Sequence, residues 1–262
     1  MTPIDRGGVP VAMFGSGARL HSRLTSWDAA ITRPMGAVHR IGFVHLAAGA
    51  GATSIAGEVV RLLRRRRTAP PLVVDLSPEG DLARRLGVAE TAPRRDRRVF
   101  RTSVDARRMV QEVSGVLGSR PSDAASSPVA AWRREISPIM RFHEIVVADF
   151  GTRDPDRELA EIAALCDAIC VVAPAQRVGA ELARVVAEAV AALSDAPRTV
   201  IALVDVAREA RRIPAVLAAQ TAHPVILIPH DTSLAGGGSA RSFRARQALL
   251  RVAGALVEEV DA

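Results

Sequence analysis

The sequence contains no lysine, no asparagine and no tyrosine, so all 35 of its basic side chains are arginines. The codons of the three missing amino acids are rich in A and T, which indicates a genome rich in G and C. Under that bias a lysine position drifts to arginine and keeps its positive charge. Codon bias therefore does not explain an uncharged residue at a position where a motif requires lysine.

Cysteine is also scarce, since Cys166 and Cys170 are the only two. They flank the apolar run of a predicted strand, and no further cysteine or paired histidine stands near enough to complete a metal site. We therefore predict buried free thiols in a reducing compartment and neither a disulfide nor a zinc site.

Long apolar runs are absent as well, because none reaches the roughly 18 residues of a membrane-spanning helix. The first residues carry no signal-peptide core, so we expect a cytoplasmic protein. The chain ends in Glu258, Glu259 and Asp261, which anionic lipid would repel. This ending argues against a terminal membrane-targeting helix and against peripheral membrane contact.

Short β-rich runs alternate with segments of helical apolar spacing. The predicted strands are 41–46, 72–75, 145–149, 168–173, 199–204 and 225–228. The predicted helices are 55–63, 131–141, 159–165, 180–193, 213–219 and 240–260. This alternation is typical of an α/β fold in which helices cover both faces of a mostly parallel sheet. We assign it to one domain over residues 39–262, and residues 1–38 to an irregular N-terminal arm with one short helix near 20–31.

Residues 41–54, IGFVHLAAGAGATS, have the layout of a phosphate-binding loop. An apolar strand leads into a turn with Gly49 and Gly51, and Thr53 and Ser54 open a helical pattern. Such a loop holds phosphate with backbone N–H groups at a helix N-terminus. The position where the loop needs lysine is Ala52, so the predicted site lacks its cation.

In order along the chain, these elements resemble the MinD/ParA branch of deviant Walker A P-loop ATPases, from about residue 40 to 260. The family loop KGGxGKTT aligns with residues 47–54 without a gap, and both of its lysines are alanine here, at Ala47 and Ala52. Four later segments are similar to family motifs: LVVDLSPEGDL, HEIVVADFG, CDAICVVAPAQ and VILIPHD. The resemblance therefore implies a P-loop NTPase-like fold with a degenerate P-loop.

The resemblance also implies site residues. Nucleotide-binding positions would be Gly49, Ala50, Gly51, Ala52, Thr53, Ser54, Pro229 and Asp231. Magnesium would be held by Thr53, Asp75 and Asp149, and the two aspartates would be catalytic if the protein is active. The family asparagine that faces adenine is missing, since its strand ends here in Val204 and Asp205. We therefore expect weak binding of ATP or ADP with magnesium, or none.

Arg153 and Arg177 lie near predicted strand ends, and either could replace the missing lysine. Both could equally be solvated loop residues. A net charge of +7 favours an acidic or polyanionic partner. The densest basic segment contains Arg94, Arg95, Arg97, Arg98, Arg101, Arg107 and Arg108. This segment could contact DNA without sequence preference, could bind an acidic protein, or could be a solvated face.

Three functions fit these patterns. The first is a MinD/ParA-like pseudo-ATPase that acts as a localisation or assembly scaffold for the cell pole, septum, pilus or secretion machinery. The second is an active atypical ParA-type partition ATPase that binds Mg-ATP, dimerises and binds DNA non-specifically. The third is a nucleotide-independent DNA-binding architectural protein. Expected protein partners are a second copy of this chain or an intact paralogue that supplies the missing lysines.

Overall fold

The computed structural model describes residues 12–90, 100–121, 127–153, 155–210 and 212–258. Its strands are β1 (His39–His45), β2 (Leu72–Asp75), β3 (Gln111–Val113), β4 (Val116–Ser119), β5 (Ile145–Thr152), β6 (Ala168–Pro174), β7 (Arg198–Val204) and β8 (Val225–Ile228). They form one sheet in the order β3-β4-β2-β5-β1-β6-β7-β8, parallel except for the β3–β4 pair. The predicted mostly parallel α/β sheet is confirmed, and all six predicted strands lie in it.

The helices are α1 (Ala12–Thr32), α2 (Ala52–Arg66), α3 (Asp81–Leu86), α4 (Ser103–Arg107), α5 (Pro128–Ala131), α6 (Ser137–Met140), α7 (Pro155–Ala163), α8 (Arg177–Ala191), α9 (Ile213–Ala218), α10 (Thr232–Ala235) and α11 (Phe243–Val257). A π-helical stretch, Trp132–Ile136, joins α5 to α6. Helices α2 and α11 cover one face of the sheet, and α7 and α8 contribute to the apolar core on the other. Strands that are buried on both faces read as continuous apolar runs, which is why they could be predicted.

The hairpin β3–β4 was not predicted. Its turn residues Ser114 and Gly115 both have positive φ, 51° and 76°, as a type I′ hairpin turn requires. The dipeptide Ser-Gly between Val113 and Val116 is the local signal for this turn. The strands have only 3 and 4 residues, too few for a visible alternation of apolar and polar side chains.

The N-terminal segment differs from the predicted irregular arm. Helix α1 has 21 residues and begins well before the short helix predicted near 20–31. It packs against α11, where a Cβ on Gly254 would lie 2.8 Å from the Cβ of Trp27. Because tertiary packing supplies most of a helix's stability, α1 forms despite its weak apolar period. Residues 1–11 lie outside the described part of the chain, and a domain boundary at residue 38 stays a prediction.

Cys166 and Cys170 are both free and buried, as predicted. Burial raises the pKa of each thiol, so both stay protonated and unreactive at neutral pH. No described helix has the length and apolar character needed to cross a bilayer.

Candidate functional site

The loop between β1 and α2 has the backbone expected of a phosphate-binding turn. Gly49 and Gly51 adopt φ of +74° and +88°, in the left-handed region that favours glycine. The carbonyl of Gly51 accepts the first helical hydrogen bond, from the N–H of Ile55 at 3.0 Å. Helix α2 therefore begins at Ala52, and its first N–H groups have no partner within the helix.

A cavity of about 320 Å³ opens at this helix terminus. Its lining comprises Gly49, Gly51, Ala52, Thr53, Ser54, Ile55, Asp81, Val204, Asp205, Val206, Pro229, His230, Asp231, Leu234 and Ala235. Seven of the eight predicted nucleotide-binding residues are among them, and Ala50 is buried behind the loop. Within this lining three residues are aspartates and none is an arginine. The volume of the cavity is at the lower end of the range for ligand sites. Its three aspartates make the lining acidic.

Two of these aspartates hold the walls of the cavity in place. Asp231 caps α10 by accepting the N–H groups of Ser233 and Leu234, and its other oxygen accepts those of Arg241 and Ser242. Burial opposes the ionisation of Asp231, but these backbone hydrogen bonds outweigh it and lower its pKa to about 2. Asp205 accepts the N–H groups of the next loop at 2.7 and 3.1 Å. The Asp231 carboxylate therefore stays charged at neutral pH, and both carboxylates stabilise the loops that carry them.

Thr53 and Asp149 meet at the base of the loop. The hydroxyl Oγ1 of Thr53 donates a 2.8 Å hydrogen bond to Oδ2 of Asp149, and the N–H of Gly151 donates to Oδ1 at 3.0 Å. Asp149 is fully buried and pairs in register with Asp75 on the neighbouring strand β2. Burial, followed by repulsion from Asp75, raises the pKa of Asp149 to about 6.

Asp75 braces the loop that follows its own strand. It accepts the hydroxyl and N–H of Ser77 at 2.6 and 3.0 Å, and the N–H of Ala83 in α3 at 2.7 Å. Arg120 lies 3.4 Å from Asp75 and donates to the carbonyl of Ser77 at 3.0 Å. Sequence reasoning missed Arg120, which follows β4, a strand that was itself not predicted.

The two arginines considered as substitutes for lysine are both directed away from the cavity. Arg153 donates to the carbonyls of Phe150 and Leu76, each at 2.6 Å, and so ties together the loops after β5 and β2. Arg177 is exposed at the start of α8 and lines a separate groove between α8 and α9. Neither contributes to the lining of the cavity.

Arg85 of α3 is the arginine that contacts the loop region, and sequence reasoning missed it. It donates to Ser54 Oγ at 3.0 Å and to the carbonyl of Gly238 at 2.9 Å. Burial, followed by repulsion from Arg61, lowers the pKa of Arg85. Its guanidinium stands behind Ser54 and outside the cavity lining. Such a placement polarises the Ser54 hydroxyl but puts no cation against a phosphate in the cavity.

The magnesium set predicted from the resemblance is brought together only in part. Thr53 and Asp149 present two oxygens at one point, which suits a cation that keeps several waters and takes its remaining ligands from phosphates. Asp75 lies beside them but is already engaged by Ser77, Ala83 and Arg120. No cluster of three or more His, Cys, Asp or Glu side chains that could hold a metal occurs in the described ranges.

The predicted basic face is described only in part. Arg101, Arg107 and Arg108 are exposed around the short helix α4. Arg94, Arg95, Arg97 and Arg98 lie outside the described residues. The use of this segment for DNA or an acidic partner stays a prediction.

Comparison with known proteins adds structural relatives. No family model matches the sequence, and no curated protein matches it. A ParA family ATPase from Chlorobium tepidum TLS superposes with a TM-score of 0.65 at 19% identity, over 82% of this chain and 98% of that one. The ATP complex of a Cyanothece McdA variant gives 0.59 at 15% identity, over 86% and 98%. The septum site-determining protein MinD from Pyrococcus horikoshii OT3, complexed with Mg-ADP, gives 0.59 at 14%, over 82% and 94%.

These identities are low, so the superpositions establish the architecture. The loop between β1 and α2, the acidic cavity and the buried Asp149 lie on that architecture at the carboxyl ends of the parallel strands, where such sheets hold ligands. The chain has the α/β fold of the ParA and MinD P-loop ATPases.

Proposed function

We propose that this protein is a ParA/MinD-like pseudo-ATPase that acts as a localisation or assembly scaffold. The observation that carries the proposal is the cavity at the start of α2, where the described lining residues include three aspartates and no arginine. Phosphoryl transfer gains most of its acceleration from positioning and from cations that neutralise the transferred group. A cavity with this lining supplies negative charge where the reaction needs positive charge.

The neighbouring arginines support this proposal because each has another role. Arg153 and Arg120 are bound to backbone carbonyls of the surrounding loops, and Arg85 is held behind Ser54 by two hydrogen bonds. Recruiting any of them would break bonds that stabilise those loops. The groups left for a phosphate are the N–H groups of the loop, the Thr53 hydroxyl and the dipole of α2, which together bind weakly.

Magnesium would reach this site only with a nucleotide. Thr53 and Asp149 would hold it, and the ion would supply charge neutralisation for the phosphates. The hydrogen bond between Thr53 and Asp149 positions both oxygens in advance. We therefore expect weak binding of ATP or ADP with magnesium and negligible hydrolysis.

A scaffold needs a protein partner. One solved structure with this fold is the MinC:MinD cell division protein complex of Aquifex aeolicus, in which a protein of this architecture binds another protein. By analogy we propose a partner for this chain, either a second copy or an intact paralogue. By the family resemblance, Ala47 stands where a lysine would reach the partner's nucleotide across the dimer. Alanine cannot make that contact, so we propose that a homodimer of this chain forms without nucleotide.

The test is calorimetric titration of Mg-ATP and Mg-ADP, with phosphate release measured in parallel. Ala52→Lys is the informative variant, because Ala52 lines the cavity. Ala52→Met is its control, with similar length and no charge. We expect no turnover by the wild type, binding at least tenfold tighter in Ala52→Lys, and no gain in Ala52→Met, since a charge-assisted hydrogen bond contributes about 1.5–3 kcal/mol.

Other outcomes would replace the proposal. Steady turnover by the wild type that Thr53→Ala abolishes would show an active partition-type ATPase. Salt-sensitive DNA binding that ATP does not change would favour the architectural DNA-binding function instead.

A further inference from the structure

A second concave surface shares Pro229 with the cavity. It runs between α1 and α11 beside β8 and encloses about 590 Å³. Four arginines line it, Arg19 and Arg23 from α1 and Arg244 and Arg251 from α11. We refer to this surface as the arginine groove. No aspartate or glutamate is among its described lining residues.

The four arginines are exposed, and none of them forms a hydrogen bond or ion pair with any residue that the structure describes. Other surface arginines of this protein are paired, such as Arg184 with Glu181 and Glu188. Partial burial, followed by repulsion from Arg23, lowers the pKa of Arg251. The groove therefore concentrates positive charge that the described part of the chain leaves unneutralised.

The floor of the groove is apolar. Leu20 and Trp27 contribute from α1 and Ala248 from α11, and each is only partly buried. Trp27 packs closely on Gly254 and also lines the groove. Partly exposed apolar side chains in a concave surface favour a ligand that brings apolar groups of its own.

We propose that the arginine groove binds an acidic amphipathic helix of a protein partner. An apolar stripe at helical spacing would cover Leu20, Trp27 and Ala248, as in other complexes that seat a helix in a groove. Carboxylates beside that stripe would pair with the arginines of the two walls, and arginine binds carboxylate with two parallel hydrogen bonds. The pairing would relieve the repulsion between Arg23 and Arg251.

Two other polyanions fit less well. A nucleic-acid backbone would use the arginines but would leave the apolar floor uncovered, and Trp27 is the only aromatic residue of the described lining that could stack on a base. A lipid surface requires apolar side chains that project outward, whereas these lie at the bottom of a concavity. The proposal does not depend on nucleotide binding.

Trp27 provides the measurement, because the chain has only two tryptophans and Trp132 is 1% exposed in the core. The probe is a synthetic 18-residue helical peptide with leucine on one face and glutamate flanking it. We expect saturable binding with a blue shift of the Trp27 fluorescence that Trp27→Phe abolishes. Two matched peptides, one with glutamine for glutamate and one with serine for leucine, should each bind at least tenfold more weakly.

Variants then place the site. Arg23→Gln/Arg251→Gln should weaken binding of the acidic peptide at least tenfold, whereas Arg65→Gln/Arg133→Gln, at exposed arginines elsewhere, should leave it unchanged. Arg23→Glu/Arg251→Glu should reverse the preference and bind a lysine-substituted peptide. Unchanged binding in Arg23→Gln/Arg251→Gln would overturn the proposal. So would tighter binding of duplex DNA or of phosphatidylglycerol vesicles through the same two arginines, or no binding of the acidic peptide at all.

Discussion

Thr53 Oγ1 donates a 2.8 Å hydrogen bond to Asp149 Oδ2, which joins the first turn of α2 to the carboxyl end of β5. The two oxygens meet although Ala47 and Ala52 of the same loop carry no charge. The register between β2 and β5 sets Asp149 beside Asp75, and the loop sets Thr53 above it. The oxygens are thus positioned by the fold itself, which does not need a cation in the loop to bring them together.

Asp149→Asn should stabilise the protein at neutral pH. The raised pKa means that the folded state binds a proton more tightly than the unfolded state, so stability falls as pH rises from about 4 through 6. Asparagine has no charge to repel Asp75, and we expect a gain on the order of 1–3 kcal/mol at pH 8 that shrinks at pH 5. Thermal melts at both pH values measure it.

The exposed Asp195→Asn is the control for this prediction, and its melting temperature should show no such dependence on pH. An Asp149→Asn protein that is less stable than the wild type at pH 8 would show that the charged carboxylate holds Thr53 and Gly151 better than it repels Asp75.

His143→Leu should remove a dependence of stability on pH whose direction is opposite to that of Asp149. His143 is 8% exposed, and its Nε2 is buried without a hydrogen-bond partner in the described residues. Burial, followed by repulsion from Arg107, lowers its pKa to about 4. Since the unfolded state then binds the proton more tightly, this histidine's contribution to stability is present above pH 6.5 and is lost as pH falls through 4.

Urea unfolding at pH 7.5 and pH 5 tests this prediction for His143. The wild type should lose about 1–2 kcal/mol more than His143→Leu on acidification. His21→Leu changes an exposed histidine and should follow the wild type. Equal losses in the wild type and His143→Leu would mean that His143 titrates normally.

Arg153→Ala should destabilise the protein without changing nucleotide affinity. The substitution leaves the carbonyls of Leu76 and Phe150 without their donor, at a cost of about 1–3 kcal/mol. Arg184→Ala, which removes only exposed ion pairs on α8, should have little effect. Chemical denaturation and nucleotide titration of both variants distinguish the two effects. A loss of nucleotide binding in Arg153→Ala would restore this arginine as the substitute cation.

The sheet could be predicted because its central strands are buried on both faces and read as unbroken apolar runs. The hairpin β3–β4 could not, since its short strands are stabilised by the pairing of β4 with β2 and by the Ser114-Gly115 turn. Helix α1 was underestimated for a related reason. Its stability depends on contact with α11, more than 200 residues away in sequence.

The candidate site also has residues whose placement the sequence predicts and residues whose placement it does not. The glycine loop, Thr53 and Asp149 follow from local sequence spacing, so their proximity could be expected. The contacts of Arg120 and Arg85 could not be predicted, because they are long-range. Arg120 contacts a loop 43 residues earlier, and Arg85 contacts Ser54, 31 residues earlier. Nothing in the sequence around an arginine distinguishes such a long-range contact from a solvated surface position.

Gly254→Ala should loosen helix α1. A Cβ at this position would lie 2.8 Å from the Cβ and 3.1 Å from the Cα of Trp27, so the backbone of α1 must move. The strain of about 1–3 kcal/mol should outweigh the roughly 1 kcal/mol that alanine contributes to helix propensity. We expect a melting temperature lower by several degrees and a red shift of the Trp27 fluorescence.

Gly36→Ala is the matched control, because no heavy atom lies within 4 Å of its added Cβ. It should leave both signals unchanged or raise the melting temperature slightly. If Gly254→Ala melts no lower than Gly36→Ala, then α1 is not held by this close approach. In that case the wall that carries Arg19 and Arg23 would be mobile relative to α11. If Gly254→Ala melts lower and also weakens the acidic peptide, the arginine groove depends on the fixed spacing of its two helices.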